Sequence, residues 1–157
     1  MQSPILAIDQ VTRRFGSVAA LDEVSYEMQA GQVVCLVGHS GCGKSTLLRV
    51  IAGIETIDAG RIMLAGDVAS SAETFIEPEH RQIGFMFQDY ALFPHLTARQ
   101  NIGFGLRKLS REAARGRVGD VIDLLGMSTL ADRYPHQLSG GEQQRIALAR
   151  ALAPQPK

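Results

Sequence analysis

The stretch Gly38-His39-Ser40-Gly41-Cys42-Gly43-Lys44-Ser45-Thr46 decides the fold of this chain. Its spacing matches G-x-x-x-x-G-K-[ST], which is typical of a phosphate-binding loop. An apolar run with β-branched residues, 33–37, precedes the loop, and a helical pattern follows it as far as Gly53. Because a predicted buried strand and a predicted helix flank the loop, this order favours an α/β nucleotide-binding fold over a chance match in a glycine-rich turn.

All nine residues of the loop are predicted to bind nucleotide. Their residue types define the chemistry of the loop. Glycines let consecutive backbone N–H groups turn towards phosphate oxygens, and the helix that follows adds the positive end of its dipole. Lys44 is expected to reach the β- and γ-phosphates, Ser45 to ligate Mg²⁺, and Thr46 to bond a further phosphate oxygen. Cys42 is either an acidified, redox-active thiol or a small residue that the loop tolerates. The motif alone leaves kinases, GTPases and ATPases open.

Composition limits the remaining classes. The chain has 157 residues, 45% hydrophobic and 20% charged, which is the size of one globular domain. Lys+Arg and Asp+Glu both number 16, so the zero net charge argues against nucleic-acid binding through the overall field. No secretory signal and no apolar run of about 18 residues is visible. Cys35 and Cys42 are too few for a disulfide framework, and the histidines lack metal-ligand spacing, so a reducing, cytosolic location is expected.

Strand patterns dominate the first half of the chain and helical patterns the second. Strands are predicted at residues 5–11, 24–28, 33–37, 61–64 and 83–87. Residues 67–80 are polar and predict a surface connection. Helices are predicted from Lys44 to Gly53, from Thr97 onward, over 111–125, and from Ser139 to Ala153. This order indicates an α/β nucleotide core with an inserted helical segment.

The stretch LSGGEQQR, residues 138–145, opens the last predicted helix. Ser139 is a good N-cap, and the N–H groups of Gly140 and Gly141 lie at the positive end of the helix dipole. Two adjacent glycines allow an anion to approach the backbone closely. An isolated Ser-Gly-Gly would indicate only a capped helix, but the residues that follow favour a second phosphate-binding helix end.

These motifs, in this order, resemble the ATP-binding-cassette (ABC) ATPase family over nearly the whole chain. LSGGEQQRIALARAL is similar to the signature motif of that family, and GHSGCGKSTLLRVIAGI to its phosphate loop and helix. The resemblance implies that Gln88 is the Q-loop glutamine, which bonds Mg²⁺ and senses the γ-phosphate. It implies that Phe15 stacks on adenine, although an isolated aromatic residue would more often belong to the core. Two such domains, here a homodimer, are expected to pair head to tail. Each ATP would then lie between one phosphate loop and the partner's signature residues, which correspond to Ser139, Gly140, Gly141 and Glu142.

The resemblance also implies that the chain is incomplete at its C-terminus. After the signature helix, the family continues with an apolar strand that ends in Asp-Glu, then an Asp-containing loop and a histidine. None of these is present, so no catalytic residue is predicted within this chain and the general base is expected beyond Lys157. The predicted division is a core at 1–88, a helical insert at about 89–137 and the signature helix at 139–153.

The segment from Phe87 to Thr97 is similar to the ATPases of bacterial importers for iron(III), polyamines, sulfate and maltose, with iron(III) or polyamine slightly preferred. Residues 77–81 and 101–106 strengthen this likeness. It implies an energy-coupling ATPase (a translocase), cytoplasmic and peripheral on the inner face of the cell membrane. An exposed patch from Tyr90 to Pro94 would contact permease subunits, and the wider system would include an extracytoplasmic solute-binding protein. In the alternative interpretation, Leu92 and Phe93 only pack the helical insert onto the core.

Two other functions remain open at this point. One is a soluble ABC protein of DNA repair or translation, although the distance from Gln88 to Ser139 leaves room only for a small insert. The other is a non-hydrolysing nucleotide-binding fragment. A basic stretch favours a solvated helix face over a nucleic-acid or lipid surface, since Glu112 and Asp120 are interspersed. It comprises Arg107, Lys108, Arg111, Arg115 and Arg117.

Overall fold

The computed structural model describes residues 3–156, which divide into two compact units between Arg81 and Gln82. The first unit is an antiparallel sheet with one α-helix and a 3-10 turn at Pro78–His80. Its strands are β1 (Leu6–Phe15), β2 (Val18–Met28), β3 (Ala59–Leu64) and β4 (Asp67–Ser70), in the order β2-β1-β3-β4. The helix α1 spans Lys44–Ala52 and ends at Gly53, which adopts φ 78° and closes the helix through its N–H as predicted.

The core of the first unit lies between this sheet and α1. Ile8 pairs across the sheet with both Tyr26 and Ile62, so its side chain shares a face with that of Ile62. Val50 of α1 is fully buried against the same cluster, together with Val11 and Leu21. This packing fixes the helix that follows the phosphate loop.

The second unit is helical. It contains α2 (Ala98–Gly103), α3 (Arg111–Leu124) and α4 (Gly140–Leu152), with short 3-10 turns between them. Thr97, Ser110 and Ser139 cap the three helices with their hydroxyl groups. A continuous core joins the helices, and Ile102, Met127 and Ile146 are its largest fully buried apolar side chains. No helix within residues 3–156 is both long and apolar enough to cross a membrane.

Two strand predictions are wrong. Residues 33–37 and 83–87 form no strand, and Val33 and Val37 are 98% and 88% exposed instead of buried on both faces. A strand needs a hydrogen-bonded neighbour, and within the described part of the chain these two segments pair with none. The predicted connection at 67–80 is also only partly right, because it contains β4, whose Ala69 and Ser70 are buried.

Candidate nucleotide-binding site

The phosphate loop is an exposed turn that leads directly into α1. Gly41 and Gly43 adopt φ values of 83° and 90°, a conformation that side-chain-bearing residues rarely adopt. A Cβ atom at Gly43 would lie 2.2 Å from the carbonyl oxygen of Ala20 in β2. Glycine at position 43 is therefore required both by backbone conformation and by space.

The ammonium group of Lys44 folds back over this loop. Its Nζ donates to the carbonyl oxygens of Gly38 at 2.8 Å and His39 at 2.7 Å, and lies 3.4 Å from Cys42 Sγ. These bonds hold the loop around a positive charge. The His39 ring folds onto the same turn, with Nδ1 2.9 Å from the carbonyl oxygen of Ser40.

The N-terminus of α1 has no side-chain cap. Gly43 occupies the N-cap position, and no acidic residue lies in the first helical turn. Among the described residues, no side chain accepts a hydrogen bond from the N–H groups of Lys44, Ser45 and Thr46. An uncapped helix N-terminus beside an ammonium group attracts an anion with several oxygens, such as a phosphate group.

Residue types at the predicted Mg²⁺ positions fit that ion. Ser45 is exposed in the first turn of α1, and its hydroxyl is a hard oxygen ligand. Gln88 is also exposed, in a turn of the second unit, where its amide oxygen is a ligand of the same kind. No group of three or more His, Cys, Asp and Glu side chains suited to a metal occurs among residues 3–156. Cys42 is an exposed free thiol, and its two interpretations both stay predictions.

Phe15 lies at the end of β1 and is 48% exposed, so it is not a core residue. The guanidinium of Arg13 covers its ring at 4.9 Å from the centroid. Two carboxylates hold that guanidinium in place, Glu55 at 2.6 Å and Asp58 at 2.9 Å. Arg13 was not predicted, although residues two apart on a strand share a face and Arg-x-Phe carries that signal.

The signature helix begins with a complete capping box. Ser139 Oγ accepts from the backbone N–H of Glu142 at 3.4 Å, while Glu142 Oε2 accepts from the Ser139 N–H at 2.7 Å and its hydroxyl at 2.8 Å. These bonds, the backbone N–H first, lower the pKa of the Glu142 carboxyl. A Cβ atom at Gly140 or Gly141 would meet nothing within 4 Å. Within the described chain, packing does not require either glycine. Their bare backbone leaves room for a group that approaches from outside.

The segment after Gln88 is less exposed than expected. Ala91 and Pro94 are exposed, but Leu92 packs against the helical core and the Phe93 ring lies 4.2 Å from that of Phe104. The expected apolar surface patch from Tyr90 to Pro94 is therefore reduced. Leu92 and Phe93 pack within the second unit, and their packing onto the 1–88 core stays a prediction.

Two polar side chains that the sequence did not reveal hold this segment. Asn101 of α2 is fully buried; its Oδ1 accepts from the Phe93 N–H at 2.8 Å, and its Nδ2 donates to the carbonyl oxygens of Phe93, Leu96 and Thr97. Arg150 of α4 donates to the carbonyl oxygens of Tyr90 and Ala91. A polar residue between buried Ala98 and Ile102 was the available signal for Asn101. Arg150 lies in a run of small residues, and no feature of the sequence there indicated its role.

Comparison with known proteins agrees with these features. The family model for ABC transporters matches residues 21–157. The sulfate/thiosulfate import ATP-binding protein CysA of Bordetella pertussis is 50% identical over 153 residues, which cover 94% of this chain and 42% of that protein. CysA of Synechococcus elongatus is 51% identical over 154 residues, covering 97% and 44%. The chain thus spans less than half the length of these curated relatives.

Solved structures show the same fold. The ATP-binding cassette MJ0796, in a dimeric post-hydrolysis state bound to ADP and Pi, superposes with a TM-score of 0.82 at 32% identity. A second dimeric structure of this cassette, described as a bacterial ABC transporter cassette, gives 0.83 at 31%. Each match covers 96% of this chain and 70% of the other. The predicted α/β cassette fold is confirmed.

Proposed function

The chain belongs to the ABC transporter family, and we propose that it is the nucleotide-binding part of an energy-coupling subunit of a bacterial importer. It binds Mg-ATP at the phosphate loop, and the complete protein hydrolyses ATP to drive solute transport. One observation carries this proposal: the Lys44 ammonium lies on the loop carbonyls at the uncapped N-terminus of α1. When bound, Mg²⁺ would offset negative charge on the phosphates, with the Ser45 hydroxyl as a ligand at the phosphate loop; Gln88 stays a ligand predicted from the sequence.

The signature helix supports a head-to-tail homodimer. Gly140 and Gly141 leave the first turn of α4 open to an outside group, while the capping box keeps Ser139 and Glu142 in fixed positions. We infer that the phosphate loop of one copy and the signature helix of its partner hold one ATP between them. Two anion-binding helix ends in one chain would then belong to two nucleotide sites.

The names of the relatives bear on the solute and the partners. Both relatives are named sulfate/thiosulfate import ATP-binding proteins, which favours an oxyanion of sulfur over the iron(III) or polyamine preferred from the sequence. An importer of this kind would place the subunit on the cytoplasmic face of the membrane, against permease subunits. Ala91 and Pro94 are the exposed apolar residues of the 90–94 segment available for that contact. A solute-binding protein on the opposite side would complete the system.

The test uses the complete protein with Lys44→Ala. ATP hydrolysis should be abolished and ATP binding strongly weakened, because the β- and γ-phosphates lose their positively charged partner. Lys108→Ala is the matched control, since Lys108 is an exposed lysine of the second unit. Phosphate release and binding of a fluorescent ATP analogue are measured side by side. Unchanged turnover in Lys44→Ala would refute the assignment of the loop.

A further inference from the structure

Arg150, in the last turn of α4, makes two contacts that the proposed function does not use. Its Nη1 donates to the carbonyl oxygen of Ala91 at 2.7 Å, and its Nη2 to that of Tyr90 at 2.8 Å. The planar guanidinium fork therefore spans two consecutive main-chain oxygens, a geometry that a lysine ammonium does not reproduce. Within the described chain, no carboxylate forms an ion pair with Arg150.

The turn that Arg150 holds is strained. Tyr90 and Ala91 adopt φ values of 62° and 44°, in the left-handed region that L residues seldom occupy. Neither residue is Gly, Asn or Asp, the types that tolerate this region. Within the turn, only one backbone bond supports the bend, from the Tyr90 N–H to the carbonyl oxygen of Phe87 at 3.1 Å. Such strain persists only where surrounding contacts impose it.

The guanidinium itself occupies a fixed position. It lies 5.6 Å from the centroid of the Phe93 ring, which packs at a tilt of 34° against the Phe104 ring. Burial lowers the pKa of Arg150 from its usual value. Hydrogen bonds from a charged donor are stronger than neutral ones, so these two bonds join α4 to the turn.

We propose that Arg150 is a positioning residue that joins the signature helix to the Tyr90–Ala91 turn, so that the turn keeps its shape and moves together with α4. The contact is internal to the second unit. It links the helix that meets ATP in trans to the segment that follows Gln88 and faces the permease. The meaning of this link for transport rests on the proposed function, whereas the link itself does not.

Amide hydrogen exchange of the complete protein tests the link directly. Arg150→Met keeps the length of the side chain but removes its donors, and it should speed exchange at the Tyr90 amide at least about tenfold, because two charge-assisted bonds are lost. Arg150→Lys should give an intermediate rate, since an ammonium retains one of the two bonds. Arg145→Met, at an exposed position of the same helix, should leave the rate unchanged.

The amides of Ala147 and Ala149 separate positioning from general stability. Their exchange should change less than about twofold in Arg150→Met, because the bonds within α4 remain. An unchanged Tyr90 rate would overturn the proposal. So would an equal acceleration at Tyr90 and along α4, which would mean that Arg150 only stabilises the unit.

ATP hydrolysis, measured with the permease subunits present, tests whether the link between α4 and the turn affects coupling to the permease. Arg150→Met should keep the KM for ATP and lower the permease-stimulated kcat about 2- to 30-fold. Arg150→Lys should lower this kcat less. Full stimulation in Arg150→Met, with a parent protein that responds normally, would overturn the coupling role. If the parent itself does not hydrolyse ATP, the proposed function fails, and the exchange rates alone decide the link.

Discussion

Arg81 should be among the most sensitive positions of the first unit. The side chain is 6% exposed, and its guanidinium donates five hydrogen bonds. Nε reaches the carbonyl oxygen of Ile76 at 2.7 Å, and Nη1 reaches those of Val50 and Ile51, both at 2.9 Å. Nη2 reaches the carbonyl oxygen of Ala69 at 3.2 Å and Ser70 Oγ at 2.7 Å. Arg81 thus ties the end of α1 to β4, and the phosphate loop lies at the other end of α1.

The expected loss in Arg81→Met follows from these partners. After the change, the carbonyl oxygen of Ala69 keeps the Ile76 N–H at 2.9 Å and that of Val50 keeps the Gly53 N–H at 3.2 Å, whereas the buried Ser70 Oγ loses its hydrogen-bond partner. Each buried acceptor left unpaired costs about 1–3 kcal/mol, and about 0.3–1 kcal/mol of helix-dipole stabilisation is also lost. Burial of the guanidinium is unfavourable and lowers the pKa of Arg81. Removing this buried charge in Arg81→Met therefore offsets part of the lost stability. We expect a net decrease of about 1–3 kcal/mol in the free energy of unfolding.

Urea unfolding, combined with hydrogen exchange of the α1 amides, measures this effect. Arg61→Met is the matched control, because Arg61 only pairs with Asp9 at 2.8 Å on the exposed sheet surface. Such a pair contributes less than about 1 kcal/mol. Equal losses in the two variants, or a loss below about 1 kcal/mol in Arg81→Met, would show that the buried network does not stabilise the unit.

Three further predictions concern the nucleotide site and its surroundings. Gly140→Asp should spare ATP binding by the monomer but block ATP-driven pairing, because a carboxylate would stand where the partner's phosphate approaches. Sedimentation of a hydrolysis-deficient protein with ATP measures the pairing. Normal dimer formation would contradict the prediction. Arg13→Met should raise the KM for ATP several-fold with little change in kcat, since the Phe15 ring loses the cation that holds it; an unchanged KM would argue against stacking at this ring. The pKa of Asp58 lies below its ordinary value of 3.8, chiefly because the Arg14 N–H donates to its carboxylate at 2.6 Å. A depressed folded-state pKa contributes stability above the unfolded pKa, which is lost as pH falls through the folded-state value. Unfolding midpoints of the parent should therefore fall more steeply below pH 3.8 than those of Asp58→Asn, and parallel curves would contradict this.

Local signals predicted local structure correctly. Glycine after an apolar helix predicted the end of α1 at Gly53, and Ser139 with Glu142 three residues later forms the capping box that starts α4. The loop glycines follow the same rule, since Gly43 is required by its own φ and by the backbone of β2. In each case the residue type itself limits the conformation.

Features that depend on distant partners were harder to predict. Residues 33–37 carry the pattern of a buried strand, but pairing depends on a neighbour, and the described chain supplies none. Arg81, Asn101 and Arg150 were missed for a related reason. Each bonds mainly to main-chain carbonyl oxygens, and an acceptor that every residue possesses leaves no mark in a sequence.

That same property makes the 90–94 segment suitable for redesign. Arg150 holds oxygen atoms that any amino acid supplies, so the anchor does not depend on which side chains occupy positions 90 and 91. Asparagine or glycine at either position would even relieve backbone strain while keeping the anchor. A surface that is fixed through its main chain can change its side chains without losing its shape. A library confined to positions 90, 91 and 94 should therefore retain folding while, under the proposed function, it alters permease binding.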